Sequence, residues 1–417
     1  MNGLLLYIDP GTGSMLFTVL LGVAATLYFL AQKLILSLKF RLSGGKAKVD
    51  TKKLPYVIFN EGKKYWNVFE PICDEFEKRR INVEYLTADE NDPALNKEYE
   101  YINCRFIGSG NRAYAYLNFL NADICLATTP GLNVYQWKRS KNTSCYVHIL
   151  HAAGASASGY RMFSLDHYDS VLLTGDYQID EIRELERKRN EDPKELEVVG
   201  CTYMDELKKR LDSEGCSEHE KRTVLLAPSW GQNSILSRFG EKMIDSLIAT
   251  GYRIIIRPHP QSFTSDKEVI EPLLAKYPDS DMLKWDREAD NFDSLNEADI
   301  LISDFSSVVF DYSLIFNKPF IYAEGAFDPS CYDAYWLDEE IWKIRILPSL
   351  GIPLKDEQLP KLKEVIDEAI TDTALLSGRD EARAEAWAHI GESAVRTVDY
   401  LTKKYMEITN TEKNITE

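Results

Sequence analysis

The chain has few cysteines, few cations relative to anions and few structure-breaking residues, and each shortage excludes a class of protein. Its 7 cysteines are odd in number and scattered (Cys73, Cys104, Cys125, Cys145, Cys201, Cys216 and Cys331), with no C-x-x-C pair. A disulfide framework is therefore not expected, and reduced thiols of a cytosolic domain are. Lys and Arg number 49 against 66 Asp and Glu, a formal net charge of -17. A general nucleic-acid surface is not expected, because counterion release requires clustered cations. Only 22 glycines and 16 prolines occur in 417 residues, which excludes collagen-like and low-complexity chains. The composition is 44% hydrophobic and 28% charged, enough apolar material for two domains of ordinary size.

Long apolar runs are scarce too, with one exception at the start. Residues 15–31 read MLFTVLLGVAATLYFLA, and Leu34, Ile35, Leu36 and Leu38 extend the run beyond Lys33. Such a stretch spans a bilayer if Lys33 snorkels, and no basic segment or small-residue cleavage site marks it as a signal peptide. Lys33, Lys39, Arg41, Lys46, Lys48, Lys52 and Lys53 follow it, whereas only Asp9 precedes it. The positive-inside rule places the large domain in the cytoplasm, held by a single pass in the cell membrane. The glycine-rich segment 8–14 lacks a P-loop lysine and reads as a turn at the interface.

Behind the anchor, strands and helices alternate. Strands are expected at 56–59, 83–86, 105–107, 123–127, 146–150 and 170–173, then at 224–227, 253–256, 299–303 and 320–323, with helices between them. Glu191–Glu197 reads as a charged surface connection, and 381–405 as one packed helix. The segments 121–129 and 297–305 echo each other, each an apolar strand running into a hydroxyl-rich turn. The expected organisation is an anchor over 1–40, a polar linker over 41–54, Rossmann-like domains over 55–215 and 216–380, and a helix with a frayed tail over 381–417. Parallel sheets bind ligands at their carboxyl ends, so chemistry is sought there.

Four strand ends carry chemistry-bearing residues. At 298–312 an apolar strand delivers Asp304, Ser306, Ser307 and Asp311 to a helix start over 306–316, where hydroxyls and backbone N–H groups suit an anion. Ordinary capping by Asp304 or Ser306 accounts for the same spacing, and both readings stand. At 253–260 a strand ends in Arg257 and in His259, which two prolines hold stiffly. At 147–156 His151 leaves a strand into small residues that permit close approach, and a neutral imidazole there suits a general base or a structural role. His148, on the alternation of the same strand, is expected on the opposite face. The loop 228–233, with Trp230 and Gly231, suits contacts to a base, a phosphate or an acceptor. Asp279-Ser280-Asp281 reads as a surface turn and no metal site is assigned. No catalytic signal is read beyond about Tyr335.

R-P-H-P at 257–260 and S-D-F-S-S-V-V-F-D-Y at 303–312, in this order and at this distance, resemble the CDP-glycerol glycerophosphotransferase family that builds teichoic-acid-type polymers. The resemblance extends through Glu61-Gly62 with Tyr65-Trp66, through 165–169 (LDHYD), and through Val199-Gly200-Cys201. It implies an α/β, GT-B-like fold of two Rossmann-type domains facing a cleft, here preceded by one transmembrane helix, with the last helix crossing back to the first domain. It implies a transferase that moves a polyol phosphate from a CDP-activated donor to an acceptor hydroxyl, releasing CMP without a cofactor. His151 and His259 are then the catalytic pair, His151 taking the acceptor proton. Arg257, Asp304, Ser306, Ser307, Asp311, Trp230 and Gly231 are donor or phosphate contacts. The implied partners are a CDP-polyol, a lipid-linked polyol- or glycan-bearing acceptor and the membrane, with no nucleic acid. One departure bears on the acceptor: where many members have Trp-His-Gly-Thr-Pro, this chain has Leu150-His151-Ala152-Ala153-Gly154. A GT-B glycosyltransferase using a nucleotide sugar shares the same devices, and a non-catalytic membrane ligand sensor would share the fold.

Overall fold

Short runs of apolar residues bounded by polar turns build the protein, and nearly all of them pair in parallel. The computed structural model describes residues 53–416 except 155–156, 218, 289 and 326–327. The expected membrane anchor and nearly all of the linker lie outside the described residues, and among those described no helix is long and apolar enough to cross a membrane.

The first sheet holds β1 (Leu54–Asn60), β2 (Val83–Thr87), β3 (Ile102–Phe106), β4 (Ala122–Ala127), β5 (Thr143–Ile149), β6 (Ser170–Leu173) and β7 (Glu195–Val198). Their spatial order is β3-β2-β1-β4-β5-β6-β7, all parallel. The second sheet holds β8 (Thr223–Leu226), β9 (Arg253–Ile256), β10 (Leu283–Trp285), β11 (Ile300–Ser303), β12 (Phe320–Ala323) and β13 (Gly351–Leu354), ordered β10-β9-β8-β11-β12-β13. Strand order therefore reverses at β1/β4 in one sheet and at β8/β11 in the other, where α/β sheets open a crevice. The two echoing segments, 121–129 and 297–305, are β4 and β11 with their exit turns. They occupy the same place in each sheet.

Helices cover both faces, so the central strands are buried on both sides and read as unbroken apolar runs. Trp66, Phe69, Ile72 and Phe76 of the helix Trp66–Lys78 close one face of the first sheet together with Val398 and Leu401 of the last helix. The core beside the second sheet takes in Ala153, Met204 and Trp387 with Phe310 and Tyr312, joining residues of both sheets' connections.

Several expectations need correction. Glu195–Val198 is a strand, not a surface connection, and β10 and β13 were not foreseen. The segment 381–405 is not one helix: Leu375–Ala386 ends at Trp387, whose indole N–H donates to Asp205, and a second helix runs Ser393–Thr416. Between them His389 and Gly391 take positive φ (53° and 82°), which no helix accommodates. The tail beyond Thr409 continues as helix to Thr416. This helix lies on the first sheet, with Tyr400 O–H donating to Ser170 Oγ at 2.7 Å and Lys404 paired with Glu195.

Candidate active site

At the second sheet's reversal point, Asp304 follows β11 and is almost wholly buried. Its carboxylate accepts the backbone N–H groups of Ser229 (2.9 Å), Ile235 (3.0 Å) and Ser306 (3.2 Å). Burial pushes its pKa up and the amide donors push it down. All three bonds go to backbone, so Asp304 holds the loop 228–235 in place. That loop presents Trp230, exposed, with its ring 6.4 Å from that of His259. Gly231 N–H donates to Asp266 at 2.9 Å.

His259 Nδ1 accepts the N–H of Gln261 at 3.1 Å. In the neutral ring the proton then sits on Nε2, which becomes a donor. Burial and the Lys64 ammonium lower its pKa, so the neutral form prevails at physiological pH. Arg257 is engaged elsewhere: it pairs with buried Asp286 at 2.5 Å and donates to the Glu288 carbonyl at 2.9 Å. Both bonds hold it against the turn after β10. Asp286 is held below the usual carboxylate range by Ser294, the Glu288 N–H and Arg257, against the cost of burial.

The turn after β11 also differs from expectation. In place of a helix over 306–316 there is a three-residue turn, Val308–Phe310, continued as a π-helix over Asp311–Ile315. Such widened turns occur mostly as single insertions in helices. Here it accompanies two polar side chains turned into the core: Tyr312 O–H donates to the Ala298 carbonyl at 3.0 Å, and Asp311 accepts from Tyr203 O–H at 3.4 Å. Burial pushes Asp311 up to about 7. Asp311 thus faces the helix Thr202–Glu214. The hydroxyls of Ser306 and Ser307 are half-buried at the turn's entrance.

Sequence reasoning missed Lys343. It lies on the short helix Trp342–Arg345, and its buried ammonium donates to Ser307 Oγ at 3.2 Å. Burial pulls its pKa down to about 8, while the charge of Asp304 works the other way. A lysine between Trp342 and Ile344 carries no spacing signal; only folding brings it beneath Ser307.

On the first sheet, β5 ends at Ile149 and His151 follows. Its Nδ1 lies 2.9 Å from Thr128 Oγ1 at the end of β4, and its ring lies 5.0 Å from that of Tyr65. Burial, with a smaller contribution from Lys64, lowers its pKa to about 4. His148 is fully buried, 3.1 Å from Tyr160 O–H, with its pKa lowered to about 3 by burial. Both imidazoles border the Tyr160 ring, so strand alternation did not separate them. Lys64, in the turn Lys63–Tyr65 after β1, acts on His151 and on His259 alike.

The two strand ends meet. A Cβ built on Gly154 would lie 2.7 Å from the Phe310 ring and 3.6 Å from Ser307 Oγ. Only glycine permits that approach. The segment is pinned by Tyr177, whose O–H donates to the Ala153 carbonyl at 2.5 Å and whose ring stacks on Trp342 at 4.2 Å. Among the described residues no group of three or more His, Cys, Asp or Glu could hold a metal ion. Asp279 and Ser280 bond instead to the backbone N–H groups of Trp285, Met282 and Leu283 within their own turn.

Residues 189–334 match the sequence model of CDP-Glycerol:Poly(glycerophosphate) glycerophosphotransferase. His259, Ser306 and Ser307 fall inside the match; His151 and Lys343 fall outside. No curated protein matches the chain. Among solved structures, the wall teichoic acid polymerase TagF is similar at 18% identity with a TM-score of 0.57, covering 90% of this chain and 96% of that one. MnaA of S. aureus, solved with UDP, is similar at 12% identity and a TM-score of 0.57, covering 86% of this chain and 98% of the other. At these identities the likeness shows the two-sheet, GT-B-like fold. Over residues 189–334 the chain is similar to that family's model, and beyond them the likeness is one of fold alone.

Proposed function

We propose that the protein transfers a polyol phosphate, glycerol phosphate or a close relative, from a CDP-activated donor to an acceptor hydroxyl in teichoic-acid-type polymer synthesis. The observation that carries this reading is the meeting of Gly154, three residues beyond His151, with Ser307, which Lys343 supports from below. In the reaction the acceptor oxygen forms a bond to phosphorus as the bond from phosphorus to the CMP oxygen breaks. The electron pair of that bond leaves with CMP. With Nδ1–H donating to Thr128, His151 Nε2 keeps its lone pair and takes the acceptor proton. An imidazole of low pKa is a weak base, and an incoming anionic donor raises its basicity by opposing Lys64. His259 Nε2–H, the Ser306 and Ser307 hydroxyls and the Lys343 ammonium supply donors to the charge that develops on the departing phosphate.

Residues 15–31 would anchor the enzyme in the cell membrane by a single pass, with the cations behind the run keeping the catalytic part in the cytoplasm beside a lipid-linked acceptor. Protease cleavage of the C-terminal part from outside intact cells would contradict that orientation. The activity is tested by titrating the full chain in detergent with CDP-glycerol, CDP-ribitol, UDP-sugars and CMP, and by following CMP release. Preference for a UDP-sugar over both CDP-polyols would replace this reading with a glycosyltransferase.

A further inference from the structure

β1, an inner strand of the first sheet, ends at Asn60, and buried polar groups tie down the turn that follows. Asn60 is fully buried; its Oδ1 accepts the Gly62 N–H at 3.1 Å, while its Nδ2 donates to the Tyr85 hydroxyl oxygen at 2.7 Å and to Asp92 at 2.8 Å. Asp89, beyond β2, accepts the Lys63 N–H at 3.1 Å, and the Tyr65 N–H closes the turn on the Gly62 carbonyl at 3.0 Å. The backbone that carries Lys64 is therefore fixed.

The Lys64 ammonium lies 4.7 Å from the centre of the Tyr65 ring, and that ring lies 5.0 Å from the ring of His151. The side chain is exposed, and among the described residues no carboxylate pairs with it. Arg257, by contrast, is held by Asp286, and Lys343 is buried against Ser307 Oγ. The Lys64 charge opposes protonation of an imidazole of each sheet, His151 and His259. It faces the space between the two strand ends.

We propose that Lys64 is a further catalytic residue, whose ammonium binds the outer phosphate of a nucleoside-diphosphate donor, the one under transfer, from the first sheet's side. This rests on the reading of His151 as the acceptor-side base, since the phosphorus under attack must lie next to the group that takes the attacking hydroxyl's proton. The inner phosphate, joined to the nucleoside, falls to the second sheet's donors. Lys64 forms no covalent bond and moves no proton; its charge meets the non-bridging oxygens while the bond to the CMP oxygen breaks. Once paired with phosphate, the ammonium opposes protonation of His151 less, so the base gains strength when the donor is in place.

Titration calorimetry of the full chain in detergent with CDP-glycerol, CMP, UDP-N-acetylglucosamine and UMP tests this. The variants are Lys64→Met, which keeps an apolar stem over Tyr65, and Lys64→Arg, which keeps the charge. Lys64→Met should weaken CDP-glycerol binding about tenfold at low salt, and CMP binding by no more than about twofold. Lys64→Arg should restore most of the loss. Lys64→Met should also lower kcat for CMP release and move the acid limb of kcat/KM to higher pH, because the cation no longer opposes protonation of either imidazole. The other groups facing His151 are His148, Tyr65 and Tyr160, and those facing His259 are Trp230 and Asp266; all stay unaltered in these variants. A loss of packing alone would leave that limb in place.

The proposal is overturned if Lys64→Met leaves CDP-glycerol affinity unchanged, if it weakens CMP as much as CDP-glycerol, or if Lys64→Arg binds no better than Lys64→Met. An acid limb that does not move also overturns it. If the unaltered protein binds the UDP-sugar instead of CDP-glycerol, and Lys64→Met weakens the UDP-sugar but not UMP, the polyol-phosphate reading fails while Lys64 keeps its place at the outer phosphate. Binding of neither donor by the unaltered protein overturns both.

Discussion

The two sheets share a strand order around their reversal points, yet their exits carry opposite chemistry. The first sheet's exits present Thr128 with His151 and Tyr160, the last two kept neutral by burial. The second sheet's exits bring Asp304 to the Ser306 N–H and Lys343 to Ser307, with the buried Asp311 further along the same turn. A site that receives a hydroxyl and removes its proton needs an unprotonated base, whereas a site that holds a diphosphate needs cations and donors. Shared topology therefore set where the strand ends lie, and under the proposed function the buried charges would separate an acceptor side from a donor side.

The largest test of this division compares the two histidines. His151→Ala should lower turnover by roughly 10²–10⁴ while leaving CDP-glycerol affinity nearly unchanged, the usual scale for a lost general base. His259→Ala should lower affinity and turnover together. Equal effects on donor affinity would erase the distinction. Next in size, Asp304→Ala removes the acceptor of two buried amides and one part-buried one, and a loss of roughly 2–5 kcal/mol is expected from denaturant unfolding. A loss under about 1 kcal/mol would mean that the loop 228–235 does not depend on it.

The pH dependence should split the halves by sign. Asp311 titrates near 7 when folded and near its ordinary value of 3.8 when unfolded, so between these the folded state binds the extra proton. Its contribution to stability is full at low pH and declines as pH rises toward 7, by about 1.4 kcal/mol per pH unit crossed. Asp311→Asn should flatten that decline; identical curves for both proteins would refute the buried acid. His148 and His151 act in the other sense, because their folded pKa values of about 3 and 4 lie below the ordinary 6.5. Their contribution is full above 6.5 and is lost as pH falls below it.

The smallest expected effect is at Lys343. Lys343→Met removes a buried cation with no carboxylate bonded to it, so stability should hold or rise. Donor affinity should nevertheless fall about tenfold, the scale of one charge-assisted hydrogen bond. Unchanged affinity for CMP and CDP-glycerol would confine Lys343 to supporting Ser307.

The central strands were legible because burial on both faces demands continuous apolar runs, as in residues 57–59 and 300–302. The unforeseen strands, β7, β10 and β13, are all edges, where exposure admits charge and even Pro353, and the apolar signal fades. The strand-end positions of His151, His259, Ser306 and Ser307 were likewise readable, since an apolar run followed by small or polar residues marks a sheet exit. Asp304 and Asp311 stood at the right ends but face inward and Arg257 is paired there, and only partners distant in sequence could show it: the amides of the loop 228–235, Tyr203 and Asp286.

By itself the sequence determined the alternation of strand and helix, the parallel pairing that follows from it, and the residues delivered to each sheet exit, because these depend on local periodicity and turn chemistry. Tertiary structure alone decided which of those residues keep a free polar group, that Lys343 sits under Ser307, and that Gly154 lies against Phe310. Those outcomes depend on contacts between segments from about 36 to more than 150 residues apart, which no local pattern encodes.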